Sequence, residues 1–352
     1  MNLADSAIDL LKNLIATPSF SREEAQAAER VTAFFTEKNI PFQRHLNNLW
    51  AKNRHWQAGK PILLLNSHID TVKPATGWQR DPFYPGIEKD DILYGLGSND
   101  AGGPLVSLLA TFVHFYERSD LPVNLIMAAT AEEEISGPNG IAALLPELSQ
   151  IDFAIVGEPT QMRMAIAEKG LMVIDGEARG VAGHAAREEG VNAIYIALED
   201  INLIRNLELE RVSPLLGKVK MSVTQIEAGK QHNVVPDSCR FVIDVRTNEC
   251  YRNEEVFDLL QSKVQSELKA RSFRLNSSGI ALEHPLVQSG LQLGLPYFGS
   301  PTLSDQALMP FPSLKIGPGD SARSHTADEY IRLSEIRAGI DCYIQLIEGI
   351  KI

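Results

Sequence analysis

Near the start of the chain, apolar residues recur at helical spacing (Leu3, Ile8, Leu11, Leu14, Ile15), which predicts an amphipathic helix. A second helix is expected over 22–38, with Ser21 as its N-cap. The pattern then shifts to short uninterrupted apolar runs at 61–66 (PILLLN), 123–129 (VNLIMAA) and 152–156 (DFAIV). Strands apolar at every position, instead of every second one, are covered on both faces, as in a parallel sheet flanked by helices. Between the first two runs, 104–115 has the length and pattern of a buried helix entered from a glycine turn.

The middle of the chain has a different order. Strand 169–179, helix 192–204, strands 219–227 and 239–246, helix 253–269 and strand 272–277 give β-α-β-β-α-β, the split-βαβ arrangement. After about residue 280 the chain returns to a strand-like run at 313–316 and a last amphipathic helix over 333–349. The expected fold is α/β: a mixed, mostly parallel sheet with helices on both faces, interrupted by a smaller βαββαβ module. The expected boundaries are 1–167 with 279–352 for the larger domain and 168–278 for the insert, although no Gly/Ser or Pro linker marks the joins.

Composition narrows the class. The chain has 352 residues, 44% of them hydrophobic, and a formal charge of −12, which suits a folded protein and argues against a nucleic-acid partner. Cys239, Cys250 and Cys342 fit no zinc-thiolate spacing and suggest reduced thiols. The first residues carry no basic n-region, and no apolar run approaches the ~20 residues of a membrane span. Cytoplasm is the expected location, with no membrane partner.

Candidate chemistry gathers at the ends of the apolar strands, where open α/β sheets bind ligands. His68 and Asp70 follow the first strand, and Asp100 sits in the turn GLGSNDAGG. Glu132, Glu133 and Glu134 follow the second strand, Glu158 follows the third, and His325 follows GPGDSARS. Singly, each has an ordinary explanation: Glu158 a helix cap, Asp100 a turn residue, three glutamates a solvated face. Together they place like charges where a sheet opens, which is costly unless a cation compensates. Imidazole and carboxylate donors without thiolates suit Zn²⁺, Co²⁺ or Mn²⁺. The glycines of GLGSNDAGG do not fit G-x-G-x-x-G, so a dinucleotide enzyme is excluded.

Read in order, SHIDTVKP, the segment ending in YGLGSNDAGG, ATAEEEISGPNG, VGEPT, GVAGHAA, NVVPDS and GPGDSARSHTADEYI resemble the M20 zinc-dependent aminoacylase and peptidase family across nearly the whole chain. The resemblance implies a zinc-peptidase-like catalytic domain with a ferredoxin-like lid that pairs two subunits. It implies one or two Zn²⁺ ions per subunit, with Co²⁺ or Mn²⁺ as alternatives. Asp100 would bridge them, His68 and Glu158 would complete one shell, and Glu134 and His325 the other. Asp70 would hold the His68 imidazole and Glu133 would be the general base. His184 would reach across the dimer to a developing oxyanion, and Asn233 and Arg246 would bind the substrate carboxylate. Arg246 ends an apolar strand, where its guanidinium needs an anion.

Many family members carry Arg and Lys around the bridging Asp, where this chain has Leu96 and Gly102. The C-terminal motif leans toward members that deacylate N2-acyl-ornithine, which implies arginine biosynthesis. The acyl group is acetyl or succinyl, with Arg187 and Arg323 as candidate partners for a succinyl carboxylate. N-acetylcitrulline, succinyl-diaminopimelate and dipeptides are the alternative substrates. A catalytically dead scaffold is the non-enzyme alternative, but it should lack a ligand or the base, and all are present.

Overall fold

The uninterrupted apolar runs become neighbouring strands of one sheet. The computed structural model describes residues 2–88, 91–148, 150–187 and 189–351. Strands Asn124–Thr130, Ile62–His68, Phe153–Val156 and Ser313–Lys315 lie side by side and parallel. Asn48–Lys52 and Gln43–His45 extend the sheet antiparallel on one side, and Met164–Glu168 pairs antiparallel with Ser313–Lys315 on the other. This is the expected mixed sheet, parallel at its centre.

Alternate residues of each run serve different cores. Leu63, Leu65, Leu125, Met127, Ile155 and Leu314 pack with helices Leu3–Ile15, Ala25–Glu37, Gly103–Phe115 and Leu333–Glu348. Leu64, Ile126, Ala128, Ala154 and Val156 pack on the opposite face with Ile141, Leu144 and Trp50. Both faces are covered, which is why the runs carry no polar alternation. Helix Gly103–Phe115, with Pro104 in its first turn, is buried along nearly its whole length.

The chain divides into two compact units. The first comprises residues up to Ile166, Gly279–Phe298 and those from Ser304 on; the second is Ala167–Ser278 with Gly299–Leu303. In the second, the antiparallel strands run in the order Lys220–Ala228, Ser238–Arg246, Met172–Arg179, Glu267–Ala270. Helices Ala193–Asn206, capped by the Asn192 side chain, and Asn253–Gln261 add their apolar residues to the same core as these strands. Residues of Met172–Arg179 alternate between buried and half-exposed, the period-2 signature of a sheet covered on one side.

Three expected elements differ. The second helix is Ala25–Glu37, and Ser21 does not cap it; its hydroxyl donates to Asp70 Oδ2 at 2.7 Å. The helix expected over 253–269 stops at Gln261, because the buried Asp200 accepts the amides of Gln265 (3.0 Å) and Ser266 (2.7 Å) and turns the chain. The strand expected at 272–277 is instead Glu267–Ala270, with Leu268 inward. Residues 273–275 are held irregular by the Asn253 side chain, which donates to the Phe273 and Leu275 carbonyls.

Candidate metal centre

The parallel register delivers the polar groups to one edge. His68, the last residue of its strand, pairs with Thr130, and Asn66 pairs with Val156. Glu132–Glu134 therefore emerge two residues past one neighbour and Glu158 two residues past the other. Asp100 lies in the turn Ser98–Gly102 ahead of the buried helix, followed by a cis peptide bond. All of these residues, with His325, belong to the first unit.

Asp100 stands between two imidazoles. Its Oδ1 is 3.3 Å from His68 Nε2, and its Oδ2 is 3.6 Å from His325 Nε2. Glu158 Oε1 lies 3.8 Å and Glu133 Oε2 4.0 Å from His68 Nε2, while Glu134 Oε2 lies 3.0 Å from His325 Nε2. Donor atoms of His68, Asp100 and Glu134 all fall within 4.8 Å of one another, as do those of His68, Glu133 and Glu158. His68 Nδ1 is 2.9 Å from the Asp70 carbonyl oxygen. A carbonyl only accepts, so Nδ1 carries the proton and Nε2 is the nitrogen aimed at Asp100.

The expected role of Asp70 is thus divided. Its carbonyl is the nearer partner of the ring, and its carboxylate Oδ1 is 3.5 Å from Nδ1. That carboxylate also accepts the amides of Glu133 (3.0 Å) and Glu134 (3.2 Å). The amide of Glu132, at φ 54°, donates to the buried Glu24 at 3.3 Å. Each amide of the triple glutamate therefore ends on a carboxylate, which fixes the loop carrying Glu133 and Glu134. Glu132 itself turns away and accepts the amide and side chain of Asn139.

The electrostatics reflect crowding. Burial, then the charge of Asp100 among others, pushes Glu158 up to about 8. Burial and the neighbouring Glu158, Asp305 and Glu134 hold Glu133 well above the usual carboxylate range, against the His68 charge. Burial also raises Glu134. Burial opposes the charge on His68, but hydrogen bonds to Asp100 and Asp70 carry it well above the ordinary imidazole value. The hydrogen bond to Glu134 lifts His325 to about 9. Acids holding protons beside charged imidazoles are the state expected when several anions share a site without an external cation. Two imidazole nitrogens and several carboxylate oxygens at these separations fit divalent ions that favour nitrogen and oxygen donors.

Several residues at the site carried no signal of their own in the sequence. Asp305 is buried and accepts from Asn66 (2.8 Å) and Thr130 (3.0 Å); burial pushes it up to about 6. Glu329 is 2% exposed and accepts three amides of the Asp100 turn. The substituted positions also have a local reason. Leu96 is buried, and a Cβ on Gly102 would collide with the Gly97 carbonyl and the Leu11 side chain, so this turn leaves no room for a lysine there.

The second unit holds the other residues singled out in the sequence. His184 and Asn233 are exposed neighbours: His184 pairs with Val234 across a short two-stranded ladder, and the Asn233 carbonyl accepts the Ala185 amide at 3.0 Å. The anion that meets Arg246 is Asp244, through contacts of 2.8 and 3.0 Å. Arg323, in the first unit, is held by both oxygens of Glu335 (2.7 and 3.0 Å) and stacks on Tyr330.

Residues 64–349 match the family model described as Peptidase family M20/M25/M40. The chain belongs to the M20 peptidase family. As an M20 member it is a metal-dependent hydrolase. It is 30% identical over 378 residues to acetylornithine deacetylase of Klebsiella pneumoniae, covering 97% of this chain and 96% of that one. It is 25% identical over 271 residues to succinyl-diaminopimelate desuccinylase 2 of a Ruegeria species, covering 71% and 67%. Among solved structures, an aminopeptidase from Bacillus cereus shares the fold with a TM-score of 0.77 at 18% identity, covering 99% and 98% of the two chains. A dinuclear metal-binding M20 peptidase from Bacillus subtilis aligns with a TM-score of 0.75 at 15% identity, covering 98% and 97%. No helix among the described residues is long and apolar enough to cross a membrane.

Proposed function

We propose that this M20 hydrolase cleaves the amide bond of N-acyl amino acids, with N2-acyl-ornithine as its first substrate, in arginine biosynthesis. The observation that carries the reading is Asp100 set between the Nε2 atoms of His68 and His325, with Glu133 beside it. His68 and Glu158 would hold one divalent ion, Glu134 and His325 a second, and Asp100 both; zinc is the first choice, cobalt or manganese the alternatives. Bound there, the ions would polarise the acyl carbonyl and lower the pKa of a water molecule.

The chain's own groups do the rest. Glu133 takes a proton from the attacking water, whose oxygen adds to the acyl carbon. The C–N bond then breaks, and Glu133 returns the proton to the leaving nitrogen, giving a carboxylate and a free amino acid. Asp70 fixes the Glu133 backbone and the His68 ring, so neither must reorganise during the step. His184 would stabilise the oxyanion, and Asn233 and Arg246 would bind the substrate carboxylate. Arg246 would then share its guanidinium between Asp244 and that carboxylate. Exposed apolar side chains in the second unit, Val181, Val191, Tyr195 and Leu198, support pairing of two subunits through the inserted domain. Sedimentation of the purified protein tests that pairing, and a monomer at every concentration would refute it.

The 30% identity to acetylornithine deacetylase, against 26% to a putative succinyl-diaminopimelate desuccinylase matched over a similarly long span, supports ornithine. Arg323 is already held by Glu335, and Arg187 lies 3.7 Å from Glu189, so acetyl is favoured over succinyl. Rates for metal-loaded enzyme on acetyl-ornithine, succinyl-ornithine, acetyl-citrulline, succinyl-diaminopimelate and a dipeptide test the reading. Acetyl-ornithine should be fastest. Hydrolysis of none of them would overturn the proposal, and a faster rate on another would move the substrate within the same chemistry.

A further inference from the structure

We propose that Glu329 is a positioning residue for Asp100: its buried carboxylate clamps the turn that carries Asp100 and holds that side chain's two oxygens toward His68 and His325. The inference rests on the metal reading above. Glu329 Oε1 accepts the amides of Asn99 (2.8 Å) and of Asp100 itself (3.0 Å), and Oε2 accepts that of Gly97 (3.2 Å). The Glu329 carbonyl accepts the Gly95 amide at 3.0 Å. Main chain and side chain of one residue therefore grip this segment at four amides, those of Gly95, Gly97, Asn99 and Asp100.

The grip is anchored on both sides. Strand Tyr330–Arg332 continues directly from Glu329 and pairs antiparallel with Ile92–Tyr94, which leads into the turn. Asn99 ties the far side of the turn, donating to the Asp320 carbonyl (3.0 Å) and accepting the Asp320 amide (2.9 Å). Because Glu329 lies four residues past His325, it links the segments bearing two of the proposed ligands. The choice of side chain is informative too. A carboxylate next to Asp100 adds repulsion, a cost that the three amides it accepts must offset. An acid can accept all three amides with two oxygens; a glutamine would turn an NH₂ toward at least one of them.

Glu329→Gln should weaken metal affinity by about 10- to 100-fold, the usual effect of a group supporting a metal ligand, and lower kcat while leaving KM near its parent value. Metal affinity is read by competition with a chromophoric chelator, independently of activity. The same substitution is then placed in an Asp100→Asn background. If Glu329 acts through Asp100, its effect on metal affinity disappears there; an effect of undiminished size would overturn the proposal. Unchanged affinity and kcat in Glu329→Gln alone would also overturn it, and would leave the metal reading intact if the parent still binds ions. A parent that binds no ion would sink the metal reading and this inference with it. Should Glu329→Gln fail to fold, Glu329→Asp carries the test: it keeps the charge on a shorter arm, and parental affinity and kcat in that variant would contradict the clamp.

Discussion

The strand-end cluster of the first unit and the sheet surface of the second treat their acids in opposite ways. In the second, Asp175 pairs with Arg271, Asp244 with Arg246, Glu255 with Arg211, and Glu177 with Arg179 and Arg240. These groups lie toward solvent; hydrogen bonds from Arg271 to Asp175, from Ser238 and then the arginines to Glu177, and from the Arg252 amide and then Arg211 to Glu255 hold all three below the usual carboxylate range. In the first unit, Asp100, Glu133, Glu134 and Glu158 face one another and two imidazoles, and burial drives the three glutamates upward. An acid beside an arginine has its counter-ion built in. A crowd of buried acids around two imidazole nitrogens suits a mobile divalent cation, as proposed above.

If that contrast is right, the largest effect should come from Glu133→Gln. It removes no proposed ligand, so metal content should stay near normal while kcat falls by roughly 10²–10⁴-fold, the span of general-base contributions. Elemental analysis beside steady-state kinetics checks this, and retained turnover would refute the base assignment. Asp70→Asn comes next, because it turns an NH₂ toward the Ser21 hydroxyl or the Glu133 and Glu134 amides. A loss of about 10- to 100-fold in metal affinity or activity is expected from an outer group of this kind.

The third effect is on pH dependence of stability. Metal-free protein holds Glu158 near 8 and His325 near 9 when folded, above their ordinary values. The folded state therefore binds more protons than the unfolded chain across this range, so stability falls as pH rises from about 5 to 9. Saturating metal should flatten that fall, because ions replace the retained protons. The melting temperature of metal-free protein against pH is the check, and a rise toward pH 9 would contradict the account. The smallest effect is expected from Arg271→Ala: breaking an exposed pair should leave melting temperature and activity close to the parent's. A large loss there would erase the contrast between the two units.

The residues that the structure gathers around Asp100 were legible because candidate metal donors without thiolates are imidazole and carboxylate, and a parallel sheet places such groups at its strand ends. His68, Glu158 and the triple glutamate follow recognisable apolar runs, so one sequence shows both conditions. The supporting acids were not legible in that way. Glu24 receives an amide 108 residues away and Glu329 one 229 residues away; Glu329 lies inside GPGDSARSHTADEYI, but neither acid's partner can be read from the residues around it. Ser21 reads as a helix cap because serine before a polar helical run usually is one; its actual partner, Asp70, is brought near only by folding. The helix expected to reach 269 was cut short by a tertiary contact, the Asp200 carboxylate, which local propensity does not contain.

The most direct measurement is calorimetric titration of metal-free protein with zinc at neutral pH, repeated in buffers of different ionisation enthalpy. The account predicts saturable binding of two ions per chain, with protons released as the cations displace those held by the buried acids and imidazoles. Absence of saturable binding, or binding whose heat is the same in every buffer, would contradict it.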